Sequence, residues 1–140
     1  MTNSPAALVI SASDEQAIRT LIQLASDAQN DPDALIPLHT PGAAIVNFFG
    51  RRILGRDAFA QAMQVALSSP LRDVTTTVEI VDLCPITDSV VLVSCVKTVH
   101  DGRADVDDDL PASAGALTYV VTGADGSWQI ALAQTTPIRT

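Results

Sequence analysis

The stretch AIVNFFGRRILGRDAFAQAM, residues 44–63, decides the fold. Ala44 to Phe49 is an apolar run with β-branched and aromatic side chains, which suits an extended strand. It breaks at Gly50. Arg51 and Arg52 form a short basic turn, and Ile53 and Leu54 resume the apolar pattern. Gly55-Arg56-Asp57 then opens a helix that carries Phe59, Met63, Ala66 and Leu67 on one face and stops at Pro70. Strand, tight turn, glycine and helix in such a short span make a compact crossing of a small α+β domain. Asn47 is the odd residue, a polar side chain in an apolar strand. Its amide can donate to a substrate carbonyl or bridge backbone groups at the strand end.

Upstream, Ser13-Asp14-Glu15-Gln16 reads as a capping box, a serine N-cap with glutamine three residues later. The helix behind it has Ala17, Ile18, Leu21, Ile22, Ala25 and Ala28 in one apolar stripe. Asn30-Asp31-Pro32-Asp33 stops it, and Asp31 and Pro32 start a shorter helix with Leu35, Ile36 and Leu38. That helix ends near His39-Thr40-Pro41-Gly42, where His39 reads as a helix-end residue. Residues 1–12 are expected to form a flexible N-terminal arm, and 13–140 a single domain.

Downstream, the period changes from helical to β. Residues 74–83, 89–100, 116–122 and 128–136 are runs rich in β-branched residues. Asp125-Gly126 between the last two is a hairpin signal. Residues 101–115 form a long polar connection that can act as a lid. Helices first and strands second predict an α+β domain whose antiparallel sheet packs three helices against one face. In the last strand Trp128, Ile130, Leu132, Gln134 and Thr136 share a face by period-two alternation, which predicts these even positions to point inward.

A chain of 140 residues can bury one sizeable core without staples. Hydrophobic residues are 47% and charged ones 17%, a surplus of apolar surface that suits a pocket or an oligomer interface. The net charge of −8 repels phosphate backbones and anionic lipid, so nucleic acid and membranes are excluded as expected partners. The N-terminal apolar run lacks a basic start and is short for a signal peptide, so a cytoplasmic protein is expected. Cys84 and Cys95 lie in apolar runs and read as buried, reduced thiols. No Cys/His spacing suggests zinc. Asp105, Asp107, Asp108 and Asp109 lack the glycine and terminal glutamate of an EF-hand. Neither metal nor cofactor is expected.

The order of these pieces resembles the SnoaL-like (nuclear transport factor 2-like) superfamily, and within it the SgcJ/EcaC family. The matching segments are Asp14-Glu15-Gln16-Ala17-Ile18-Arg19, Val46-Asn47-x-x-Gly50, Gly55-Arg56-Asp57, Trp128-Gln129-Ile130-Ala131 and Gln134-Thr135-Thr136, spread over roughly residues 13–138. The resemblance implies a cone-shaped fold, with a curled sheet closing over the helices and a pocket at the wide end. It also implies a homodimer paired through the sheet. Family members usually carry a tryptophan late in the first helix, where this chain has Ala28, which implies a differently filled cavity mouth. Near the end they often read Gln-Asn-Thr, where this chain has Gln134-Thr135-Thr136.

Relatives in the superfamily include cofactor-free isomerases, cyclases, dehydratases and epoxide hydrolases, and also association modules without chemistry. The isomerase-like members place an aspartate base where this chain has Asn47 and two phenylalanines. The epoxide-hydrolase-like acids are likewise missing from Val96-Lys97-Thr98 and Leu132-Ala133-Gln134-Thr135. What remains is His100 and Tyr119 as candidate catalytic groups, and Asn47, Phe49, Tyr119, Gln134 and Thr136 as candidate contacts to a small apolar molecule. Two readings stay open: a cofactor-independent enzyme of bacterial secondary metabolism, and a non-catalytic binding or association module.

Overall fold

A computed structural model describes residues 8–104, 110, 112–124 and 126–139. The first helix, α1, spans Ala12–Asp27. Its N-cap is Ser11 rather than Ser13, with the Ser11 hydroxyl accepting from the Asp14 amide at 3.1 Å. That choice places Asp14 and Glu15 in the first turn, where negative charge suits the helix dipole. Ile10 packs against the core, while residues 1–7 of the expected arm lie outside the described residues. The stripe Ile18, Leu21, Ile22 and Ala25 is buried as its spacing predicts.

A short helix α2, Pro32–Leu35, runs into a single 3-10 turn, Ile36–Leu38. Asp31 precedes it without a side-chain capping bond; its carbonyl accepts the Ala34 and Leu35 amides at 3.2 and 2.9 Å. Strand β1 then covers His39–Val46, β2 Arg52–Leu54, and helix α3 Arg56–Leu67. Strands β3, Val74–Thr87, β4, Val90–Asp101, β5, Ala114–Ala124, and β6, Ser127–Pro137, complete the chain.

The six strands form one sheet in the order β2-β1-β6-β5-β4-β3. The fold class is α+β with helices packed on a curled sheet, as expected. The sheet is mixed, however, not wholly antiparallel, because β1 runs parallel to β6. These two strands are distant in sequence, so no hairpin imposes opposite directions on them.

Register shifts interrupt β3 between Ile80 and Asp82, and the β5–β6 pairing between Val120 and Val121. An extra residue on one strand bends it and increases its twist, and this curls the sheet around α1. The concave face carries Val91, Val93 and Cys95 of β4, Leu117, Tyr119 and Val121 of β5, and Ile130 of β6, all buried with the α1 stripe. Full burial of a side chain such as Ile18, Ile22 or Ile130 is worth roughly 1.5–3 kcal/mol.

The β6 bulge overturns one expectation. Val120 pairs with Leu132 and Val121 with Ile130, so Ala131 is the unpaired extra residue. One extra residue inverts the faces beyond it. Ile130 points inward, but past Ala131 it is Ala133 and Thr135 that do so, and Gln134 and Thr136 are exposed. A second correction concerns Cys84, which is exposed on β3; Cys95 is buried, and both thiols are free. Among the described residues no helix is long and apolar enough to cross a membrane.

Candidate functional site

The helices do not fill the wide end of the curled sheet. A cavity of about 140 Å³ remains there, with His39, Asn47, Phe59, Lys97, Tyr119 and Thr135 among its lining residues. A second chamber of about 230 Å³ lies beside it, walled by Phe48, Phe49, Leu71 and Val99. Asn47 and Lys97 belong to both walls and so mark the boundary, or neck, where the two chambers meet.

His39 is the first residue of β1 and is 2% exposed. Its Nδ1 lies 2.9 Å from the Leu35 carbonyl, which can only accept, so Nδ1 carries the proton and Nε2 is left with its lone pair. Burial lowers the pKa of the ring, outweighing the hydrogen bonds to the Leu35 and Ile36 backbone that raise it. The ring stands edge-on to Phe59 at 4.9 Å, which fixes its plane. A neutral imidazole held this way can accept a hydrogen bond or a proton at Nε2. The helix-end reading of His39 is correct for its position and misses its surroundings.

Lys97 continues the inward face of β4 after Val91, Val93 and Cys95. It is half-buried, its ammonium keeps some accessible surface, and burial lowers the pKa of that ammonium. Tyr119 is 3% exposed, and burial foremost, with Cys95 second, raises the pKa of its phenol. The phenol is therefore a donor at neutral pH. Asn47 begins a turn rather than ending a strand. Its Oδ1 accepts from the Phe49 and Arg51 amides at 3.0 and 2.9 Å. The described lining residues of the two chambers carry no carboxylate.

The structure thus gathers Asn47 and Tyr119 at the inner cavity and places Phe49, 57% exposed, at the outer chamber. It does not bring the other candidates there. His100 is exposed on the outward face of β4, where Nε2 lies 3.3 Å from the Thr77 hydroxyl. Gln134 and Thr136 face away for the reason given by the bulge. Asp105, Asp107, Asp108 and Asp109 lie outside the described residues, as do 105–109 and 111 of the expected lid, whose ends belong to β4 at Asp101 and to β5 from Ala114.

Sequence reasoning weighed His39 and read it as a helix-end residue, and it gave Lys97 and Thr135 no cavity role. Parity along β4 would have found Lys97, since Val91, Val93, Cys95 and Val99 are its apolar companions. Thr135 could not be found without knowing of the bulge.

No protein-family model matches the chain, and no curated protein matches it. Solved structures do. A domain of unknown function with a cystatin-like fold from Nostoc punctiforme superposes with a TM-score of 0.77 at 22% identity, over 93% of this chain and 80% of that one. The fold is cystatin-like. An NTF-2-like protein of unknown function from Shewanella oneidensis gives a TM-score of 0.69 at 16% identity, over 87% of this chain and 98% of that one. A ketosteroid isomerase-like protein from Erwinia carotovora atroseptica gives 0.64 at 20% identity, over 92% and 96%. At these identities the cystatin-like, NTF-2-like fold is what is shared, and function has to be argued from the residues in its cone.

Proposed function

We propose that this protein binds a small apolar molecule in the cone and transforms it without a cofactor, as an isomerase, cyclase or dehydratase of bacterial secondary metabolism of the SgcJ/EcaC kind. One observation carries the reading. The only lysine and the only tyrosine of the chain, and one of its two histidines, all line the same cavity. Chance placement would put such side chains at the surface, where lysine above all is found.

The chemistry they support is proton transfer next to a carbonyl. His39 Nε2 would take a proton from the carbon beside it, and the electron pair would move onto the carbonyl oxygen as an enolate. The Tyr119 hydroxyl and the Lys97 ammonium would stabilise that oxygen. Return of the proton to another carbon completes an isomerisation; loss of a β-hydroxyl as water completes a dehydration. His39 thus replaces the carboxylate base that the lining lacks. Solvent-deuterium exchange into a panel of small cyclic ketones, followed by NMR, tests this. Exchange that disappears in His39→Gln supports it, and binding without exchange favours the non-catalytic module.

The sheet's outer face supports a homodimer. Half-buried Leu92, Val96, Val120 and Leu132 alternate there with the buried positions of β4, β5 and β6. Light scattering at micromolar concentration tests the pairing, with a monomer as the contrary result.

A further inference from the structure

We infer that Lys97 is an anion anchor at the neck of the two chambers, and that the ligand is a small apolar molecule bearing an anionic oxygen, a carboxylate or an enolate, at that point. This rests on the pocket reading above and names the ligand class for it.

The argument is one of donors and acceptors. Lys97 offers three donors and no acceptor. No ion pair or hydrogen bond holds its ammonium among the described residues. Asn47, the other residue of the neck, has its Oδ1 occupied by the Phe49 and Arg51 amides, so its free capacity is the Nδ2 donor. Tyr119 adds a phenol that stays protonated at neutral pH. The Lys97 ammonium, Asn47 Nδ2 and the Tyr119 hydroxyl are thus donors on one cavity wall, and the group that satisfies them is an oxygen with negative charge.

The surroundings agree. An ammonium only partly hydrated among apolar walls carries a desolvation cost, and a bound anion offsets it. Gly115 stands opposite Lys97 and contributes no side chain to crowd the neck. The inner chamber of about 140 Å³ is close to the cavity of about 150 Å³ known to accept benzene, so a single ring fits beside the anchor. The protein's charge of −8 opposes an anion at long range. That field is screened within about 8 Å at physiological salt, and the local ammonium then dominates.

Calorimetric titration with phenylacetate and with its neutral isostere phenylacetamide tests the anchor in the whole chain. The wild type is expected to bind phenylacetate about tenfold or more tighter, the effect of a charged hydrogen bond. Lys97→Met is expected to lose that preference while still binding the amide. Because Lys97 is the only lysine, wild-type protein labelled at lysine Cε gives a single side-chain NMR signal. Its titration midpoint should rise when phenylacetate is added, which keeps the test independent of how the variant folds. Equal binding of acid and amide by the wild type, a preference that survives in Lys97→Met, or an unmoved lysine midpoint overturns the anchor and leaves the apolar pocket standing. Failure of both probes and of the neutral ketones to bind overturns the pocket reading, and the anchor with it.

Discussion

Lys97 on β4 lies directly across the strand pair from Gly115 on β5. A Cβ at position 115 would sit 2.7 Å from Thr135 Cγ2 and 3.2 Å from the Phe48 ring. Thr135 and Phe48, which line the two chambers, therefore pack into the space that glycine's missing side chain leaves. Gly115→Ala is expected to destabilise the fold by about 1–3 kcal/mol, the usual cost of overpacking. The displaced Thr135 and Phe48 should also narrow the passage beside Lys97. Urea denaturation measures the first effect, and weaker phenylacetate binding by the folded variant the second.

His39 makes stability depend on pH. Its folded pKa is lowered from 6.5 by burial, so protonation favours the unfolded chain. The stability it contributes is complete above the unfolded pKa and is lost as pH falls through 6.5 toward the lower folded value. His39→Gln is expected to flatten the stability curve between about pH 7 and pH 5, by at most about 1.4 kcal/mol per pH unit for one proton. Parallel wild-type and variant curves across that window would contradict this.

Thr135 and Gln134 separate the two possible faces of β6. Thr135 lines the cavity, and Gln134 is exposed beyond the bulge. Thr135→Val is expected to alter ligand affinity with little change in volume. Gln134→Ala should leave affinity within about twofold and stability within about 0.5 kcal/mol, as surface changes do. The reverse pattern would mean that the bulge at Ala131 is absent in solution.

The two thiols should react very differently. Cys84 is exposed, whereas burial pushes the Cys95 thiol up to about 12. Native protein is expected to take up one equivalent of a maleimide at neutral pH, at Cys84, and a second only after denaturation. Peptide mass mapping identifies the site, and rapid native labelling of Cys95 would refute the packing around Tyr119.

Trp128 and Gly123 tie the last hairpin to the first helix. They pair in register, and a Cβ on Gly123 would come within 2.4 Å of the Trp128 ring. The indole Nε1 donates to Asp14 Oδ1 at 3.2 Å. Gly123→Ala should displace the indole, shift its fluorescence to longer wavelength and cost about 1–3 kcal/mol. An unchanged emission spectrum would count against this contact.

The architecture is readable along the chain because its signals are local. The α1 stripe follows from helical spacing, the entry to α3 from Gly55-Arg56-Asp57, and the β-strands from runs of β-branched residues. Gly50 at φ +83°, Gly55 at φ +90° and Gly126 at φ +78° adopt backbone that favours glycine, and all three were visible as breaks. Asn47 was legible as a group that could bridge backbone at the strand end, and its bonds to the Phe49 and Arg51 amides just past β1 are that bridge.

By itself, the sequence determined that two helices open the chain, that a strand and a third helix follow before the long strands, that the fold is α+β, and that the expected acids are missing from their places. The tertiary structure alone decided which side chains meet. Ala131 shifts β6 by one residue and exchanges Gln134 for Thr135. The parallel β1–β6 pairing closes the sheet beside α2 and α3, and the fold carries His39, at the start of β1, into the cavity with Lys97 and Tyr119. The physical reason is the range of the interactions. Period and capping act over a few residues and leave their mark in local order. Strand register and cavity lining depend on contacts between residues far apart in the chain, which only the folded sheet brings within reach.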